Sequence, residues 1–229
     1  MTAEPCVFVL WQAARHREER ILSDLRRQFE IADVVEVTWE PGAFSRRLTR
    51  LYGEALPPGS DKERQCGTGP FLVVVAVDAR PRYGVRWTTR GPRRVNVRCA
   101  AAKRRYRRWA GGDFRVHGSV DRDEAERDLR LLLGVGGADV VARRWDGTIR
   151  SVVEGDVSWR GVDELVAALT SAAPTSLASD NGDVLVVATE DVWWAALIAG
   201  GDAPPVEAVE AELEVMVAGV RRRLHVEAR

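Results

Sequence analysis

Acidic residues are missing from one long stretch of this sequence: from Arg80 to Arg108 there are twelve basic side chains and no aspartate or glutamate. Over all 229 residues, 34 basic groups balance 34 acidic ones, so the cations are locally concentrated and many of the acids lie beyond residue 120. Lysine is almost absent. Lys62 and Lys103 are the two, and every other cation is arginine, whose planar fork suits two-point contacts with phosphate oxygens. The sequence also lacks an unbroken apolar run long enough to cross a bilayer, so a soluble globular chain without a membrane partner is expected. Cys6, Cys66 and Cys99 are odd in number, far apart and free of C-x-x-C spacing; neither a disulfide framework nor a zinc site is expected, and reduced, buried thiols are. The start, MTAEPCVFVL, carries Glu4 and no basic flank, which argues against a secretory signal and for a cytoplasmic location.

Against these absences, the hydrophobic pattern is clear. CVFVLWQ (6–12) reads as a buried strand, and HREERILSDLRRQFE (16–30) sets Ile21, Leu22, Leu25 and Phe29 at helical spacing. ADVVEVTWE (32–40) alternates as a strand, and residues 41–56 place Phe44, Leu48, Leu51 and Leu56 on a helical face. Residues 56–69 read as a loop, 70–78 as a central strand buried on both faces, 79–96 as a hairpin or basic loop, and 98–112 as a helix ended by Gly111-Gly112. A short strand from Asp113 to His117 and a helix from Asp121 to Leu133 complete an α+β unit over 1–134. A smaller C-terminal α/β region is expected over 135–229: strands VVARRW and IRSVVEG around a turn, a helix at 159–173, a strand at 183–190, a short buried helix carrying Trp193-Trp194, and a terminal amphipathic helix over 204–225.

Three histidines are present, and His16 and His225 sit in highly charged surroundings typical of solvated groups. His117 differs, because it lies between a strand end and a helix start, where free N–H groups and the helix dipole favour an anion such as phosphate. Asp121, Glu124 and Asp128 fall on one stripe of the following helix, opposite Leu129, Leu132 and Leu133. A carboxylate from that stripe on one ring nitrogen fixes the tautomer and leaves the other nitrogen as a nucleophile or base. The competing reading is a structural histidine beside an acidic, solvated helix face.

The segment VHGSVDRDEAERDLRLLLG resembles the signature of nucleoside diphosphate kinases, in which His-Gly-Ser follows a strand, an acidic turn opens a helix, and a carboxylate eleven residues after the histidine supports it. The likeness extends over 6–134, through CVFVLWQ, ILSDLRRQFEIADVVEVTW, RLTRLYGEAL and GTGPFLVVVAVD. It implies a ferredoxin-like α/β sandwich, His117 as a phosphohistidine carrier supported by Asp128, and a nucleoside triphosphate (ATP or GTP) with Mg²⁺ as cofactor. By position, Tyr52, Arg86, Arg90, Lys103, Arg107 and Ser119 are the expected nucleotide-contacting residues, and no protein-bound metal is expected. The sequence departs from the family where Trp11-Gln12 replaces a lysine after the first strand, and where Phe114 replaces an asparagine three residues before the histidine. The loop between the basic helix and the histidine strand is also short.

Two functions follow from these readings. One is a divergent, kinase-like transferase that moves a phosphoryl group through His117 to a small-molecule acceptor. The other is a non-catalytic nucleotide- or phosphate-binding module that acts on a protein partner or as a homo-oligomer. Nucleic-acid binding through residues 80–108 ranks last, because the net charge is zero.

Overall fold

The computed structural model describes residues 2–88, 91–154, 158–159, 161–170, 174–199 and 207–229. In chain order the elements are β1 (Glu4–Leu10), α1 (Glu18–Gln28), β2 (Glu30–Trp39), α2 (Phe44–Tyr52), α3 (Asp61–Cys66), β3 (Phe71–Asp78), β4 (Tyr83–Thr88), β5 (Gly91–Asn96), α4 (Val97–Ala110), β6 (Val116–Gly118) and α5 (Arg122–Leu133). They continue as α6 (Gly137–Val141), β7 (Arg150–Glu154), β8 (Ser158–Trp159), α7 (Val162–Thr170), β9 (Thr175–Asp180), β10 (Val184–Thr189), α8 (Val192–Ala199), β11 (Glu210–Val217) and β12 (Val220–Ala228).

The first compact unit comprises Met1–Trp39 and Asp61–Glu154. Its sheet runs β6-β1-β3-β2-β7, with β1, β2, β3 and β6 antiparallel to their neighbours and β7 added in parallel to β2. Two split β-α-β units, β1-α1-β2 and β3-α4-β6, interleave to produce that order, which is the ferredoxin-like arrangement. FLVVVAVD fills β3, the middle strand, and every one of its side chains is buried, as a strand covered on both faces requires. Cys6, Phe8 and Leu10 of β1 form one core layer with Ile21 and Leu25 of α1 and with Cys99, Ala102 and Tyr106 of α4. The alternating residues Val7 and Val9 point to the opposite face, so residues on neighbouring strands that pair with them share that face.

The second unit comprises Glu40–Ser60 and Gly155–Arg229, and its sheet runs β8-β11-β12-β10-β9. Trp159, Leu165, Leu185, Val187, Val215, Leu224 and Val226 form its core.

Several expectations are corrected. The units do not divide at 134/135: β7 extends the first sheet beside β2, and residues 40–60 belong with the C-terminal region. Residues 137–141 form α6 in place of the strand expected at 140–145, and the loop at 56–69 contains α3. Where a terminal helix was expected, β11 and β12 make a hairpin, joined by Ala218 and Gly219, both at positive φ. The period of 2 in EAELEVMV, alternately exposed and sheltered, outweighs the helix-like ordering of Glu before Arg. β9 was not expected at all. Cys6 and Cys99 form a disulfide between β1 and α4, correcting the expectation of reduced thiols. Their separation of 93 residues carries no spacing signal, and it is the packing of α4 on β1 that brings them together. Cys66 is a free, buried thiol. No helix among the described residues is long and apolar enough to cross a membrane.

Candidate functional site

β6 is an edge strand of three residues, and its register sets the site. His117 pairs with Val9 and therefore shares the face on which Val9 lies, whereas Gly118 pairs with Phe8 and faces the α4 layer. A Cβ on Gly118 would come 3.0 Å from the Phe8 ring and 3.5 Å from Cβ of Lys103, which explains the glycine and brings Lys103 alongside the histidine strand.

α5 starts directly after this strand. Asp121 is its N-cap and accepts from the Glu124 N–H at 2.8 Å, while Glu124 accepts from the Val120 N–H at 3.0 Å. With the helix start fixed in this way, its second turn delivers Asp128 beside the strand. The Asp128 carboxylate lies 2.7 Å from Nε2 of His117 and accepts from Arg127 at 2.9 Å. Both members of the pair are buried, His117 being 2% exposed and Asp128 0%. Burial raises the Asp128 pKa, and the charges and hydrogen bonds of His117 and Arg127 more than reverse this, leaving it below the usual carboxylate value.

Further cations lie along β6 and at the start of α5. Lys103 is half-buried on α4; burial lowers its pKa and, despite the opposing pull of Glu124 and Asp128, brings it down to about 8. Arg107, one turn further along α4, donates from Nε to the Val116 carbonyl at 3.0 Å. Arg93 reaches the helix cap from β5, pairing with Asp121 at 2.7 Å. His117, Glu124 and Asp128 have donor atoms within 4.8 Å of one another. Arg127 lies 2.9 Å from Asp128 and 3.9 Å from Glu124, so the carboxylates already have a cation of the protein's own.

The site therefore joins His117 to Asp128, with Lys103 on α4 beside Gly118, within reach of the charges of Glu124 and Asp128, and Arg107 on the same helix as the lysine. Ser119 is buried and its hydroxyl accepts from the Val7 N–H at 2.8 Å, so it anchors β1. Tyr52 ends α2 and belongs to the second unit. Arg86 is exposed on β4, and Arg90 lies outside the described residues. Sequence reasoning did not identify Arg127 or the Arg93–Asp121 pair; an arginine next to Asp128 was the available signal for the first, and nothing in sequence spacing signals the second.

The two positions that depart from the family pattern have structural occupations. Trp11 is fully buried, with ring centroids 4.6 Å from Phe71 and 5.6 Å from Trp39. Gln12 accepts from the Gly69 N–H at 2.9 Å and fills the space beside Gly67 and Gly69. Phe114 is half-buried, with Nζ of Lys62 5.0 Å from its ring centroid. A concavity of about 520 Å³ is lined by Ala101, Arg104, Arg105, Arg107, Arg108 and Asp113.

The chain has a mixed α+β fold with distant structural similarity to nucleoside diphosphate kinases over about 60% of its length. The apo enzyme of Encephalitozoon cuniculi is 16% identical, with 60% of this chain and 91% of that chain covered at a TM-score of 0.39. The enzyme of Aquifex aeolicus is 12% identical, with 61% and 100% covered at a TM-score of 0.40. No protein-family model matches the sequence, and no curated protein matches it.

Proposed function

We propose that the chain is a divergent phosphotransferase in which His117 carries a phosphoryl group from a nucleoside triphosphate to a small-molecule acceptor. The observation that carries this reading is the 2.7 Å contact between His117 Nε2 and Asp128. With the proton on Nε2 donated to Asp128, the neutral ring has its lone pair on Nδ1. Nδ1 attacks the γ-phosphorus; an N–P bond forms, the bond to the bridging oxygen breaks, and the nucleoside diphosphate leaves with that electron pair. In the second step an acceptor hydroxyl attacks the phosphorus, the N–P bond breaks, and the hydroxyl proton passes to solvent. Asp128 holds the ring and balances the charge it gains, and Lys103 and Arg107 offer cations to the phosphates. The positive groups fit a polyphosphate. Mg²⁺ arriving with the nucleotide would neutralise phosphate oxygens, held by those oxygens because the nearby carboxylates are engaged by His117 and Arg127.

The burial of His117 favours a second reading, in which the same cations hold a nucleotide or phosphorylated ligand and no transfer follows. Incubation with γ-labelled ATP or GTP and Mg²⁺ separates the two. The carrier reading expects acid-labile, base-stable label on the tryptic peptide containing His117, and none on His117→Ala. Unlabelled wild-type protein that still binds nucleotide at equilibrium overturns it in favour of the second.

Either reading makes binding sensitive to pH through Lys103. Its lowered pKa means that the ammonium loses its proton as pH rises through about 8, so phosphate-ligand affinity is expected to fall between pH 7 and 9. Lys103→Met is expected to bind more weakly at pH 7 and with a flatter profile. Titration of ADP by calorimetry at several pH values measures both, and an unchanged wild-type profile in the variant removes Lys103 from the site.

A further inference from the structure

β4 and β5 form a two-stranded ribbon that joins neither five-stranded sheet. Its register pairs Val85 with Arg94, Arg86 with Arg93 and Trp87 with Pro92. Alternation places Tyr83, Val85, Trp87, Pro92 and Arg94 on one face. The other face carries Val95, which is buried, Gly84, whose Cβ position lies 3.0 Å from Val97, and the exposed pair Arg86 and Arg93. The first face also carries Asn96, which is buried, and Tyr83 donates from it to Glu4 at 2.7 Å, so it is closed at that end and open at Val85 and Trp87. Trp87 is 84% exposed on it, the most exposed large hydrophobic side chain among the described residues, and Val85 is 69% exposed. Arg94 lies 4.5 Å over the Tyr83 ring. Tryptophan is strongly buried on average, and an indole held in water on a two-stranded ribbon among arginines calls for a partner.

The ribbon's charge selects the class of partner. Arg82, Arg86, Arg93 and Arg94 are exposed, the sequence from 80 to 108 contains no acid, and Arg86 stands directly opposite Arg93. Like charges opposed across a strand pair destabilise it; Arg93 is offset by Asp121, and Arg94 shares a concavity with Glu4, Asp121 and Asp123. A polyanion relieves that repulsion. Two apolar side chains are too small for the core of a stable protein interface. A hairpin entering a bilayer leads with an apolar tip, whereas residues 88–92 read Thr-Thr-Arg-Gly-Pro. A two-fold contact between copies would set this cationic ribbon against itself.

We infer that the β4–β5 ribbon binds single-stranded nucleic acid, with a base stacked on Trp87, a phosphate held by Arg94 on the same face, and the nucleic acid continuing over the ribbon's edge to Arg86 on the other face and to Arg82 before β4. This departs from the expectation based on net charge alone, because the acids that cancel these arginines are absent from the ribbon. It does not rest on the reading of His117.

The test is fluorescence anisotropy of labelled 20-nucleotide oligo(dT) and oligo(U) with the full chain, from 20 to 200 mM salt. With three arginines on phosphates, the log–log salt slope is expected near about −2, and Arg86→Ser and Arg94→Ser should each flatten it by about 0.7. Trp87→Ala should weaken binding by about fivefold to a hundredfold, with the circular dichroism spectrum and Tm unchanged. Lys103→Met should bind as wild type. Four outcomes overturn the inference: no binding at low salt; affinity unchanged in Trp87→Ala; an equal loss in Lys103→Met, which places binding at the histidine; or attachment to phosphatidylserine vesicles or self-association through Trp87 without oligonucleotide binding.

Discussion

Trp11→Lys is expected to destabilise the first unit by about 5 kcal/mol, close to the entire stability of many domains of this size. Losing a fully buried indole against Phe71 and Trp39 costs about 3–5 kcal/mol. The lysine stem recovers part of that, but its ammonium must then be discharged or left unpaired in an aromatic core, which adds more than the stem restores. Urea denaturation followed by circular dichroism measures the loss, with Trp11→Phe as the control that keeps the ring packing and should cost far less. The substitution installs the residue that the nucleoside diphosphate kinase resemblance would place here, so it asks whether position 11 faces a nucleotide. A folded Trp11→Lys protein that binds nucleotide more tightly would overturn the assignment of Trp11 to the core. The neighbouring Gln12 points the same way, since its side chain is committed to the Gly67–Gly69 turn.

What was legible in the sequence follows from locality. β3 announces itself because a strand covered on both faces must be apolar at every position, and FLVVVAVD is nearly so. That one carboxylate among Asp121, Glu124 and Asp128 could reach His117 was also legible, from a strand end followed by a helix start; that it is Asp128 was what the nucleoside diphosphate kinase resemblance implied. Contacts that depend on the packing of distant elements were not. The approach of Lys103 to the histidine strand, the Arg93–Asp121 pair and the Cys6–Cys99 bridge all arise from how α4 and the β4–β5 ribbon lie against β1 and β6. The misread terminal segment has a different cause. Glu-rich and Arg-rich ends imitate the charge order that suits a helix dipole, yet the same residues alternate with Leu213, Val215 and Val217 at strand spacing. The Ala218-Gly219 dipeptide, with both residues at positive φ, was the turn signal that should have decided between them.

His117→Ala is expected to cost more stability than Asp128→Ala, although the two remove opposite ends of one contact. When Asp128 is removed, the imidazole loses its acceptor, so the cost is a charge-assisted hydrogen bond and a buried N–H without its partner, about 3 kcal/mol. When His117 is removed, a fully buried carboxylate remains with Arg127 as its cation, and the cost rises to about 4 kcal/mol. The double variant leaves neither orphan, so its loss should fall short of the sum by about 2 kcal/mol. Additivity within about 0.5 kcal/mol would show that the 2.7 Å contact contributes nothing to the folded state. The acid limb supplies an independent reading with a definite sign. The folded pKa of Asp128 is lowered, so its contribution is fully present above the unfolded value of about 3.8 and is lost as pH falls through the lower folded value. Wild-type stability should therefore drop more steeply than that of Asp128→Asn below about pH 4. In His117→Ala, one of the two groups that hold the carboxylate ionised is gone, so the Asp128 pKa rises and its loss of stability begins at a higher pH. Denaturant midpoints collected from pH 3 to pH 7 resolve wild type from both variants, and an acid limb that does not move in His117→Ala would overturn the electrostatic coupling of the pair.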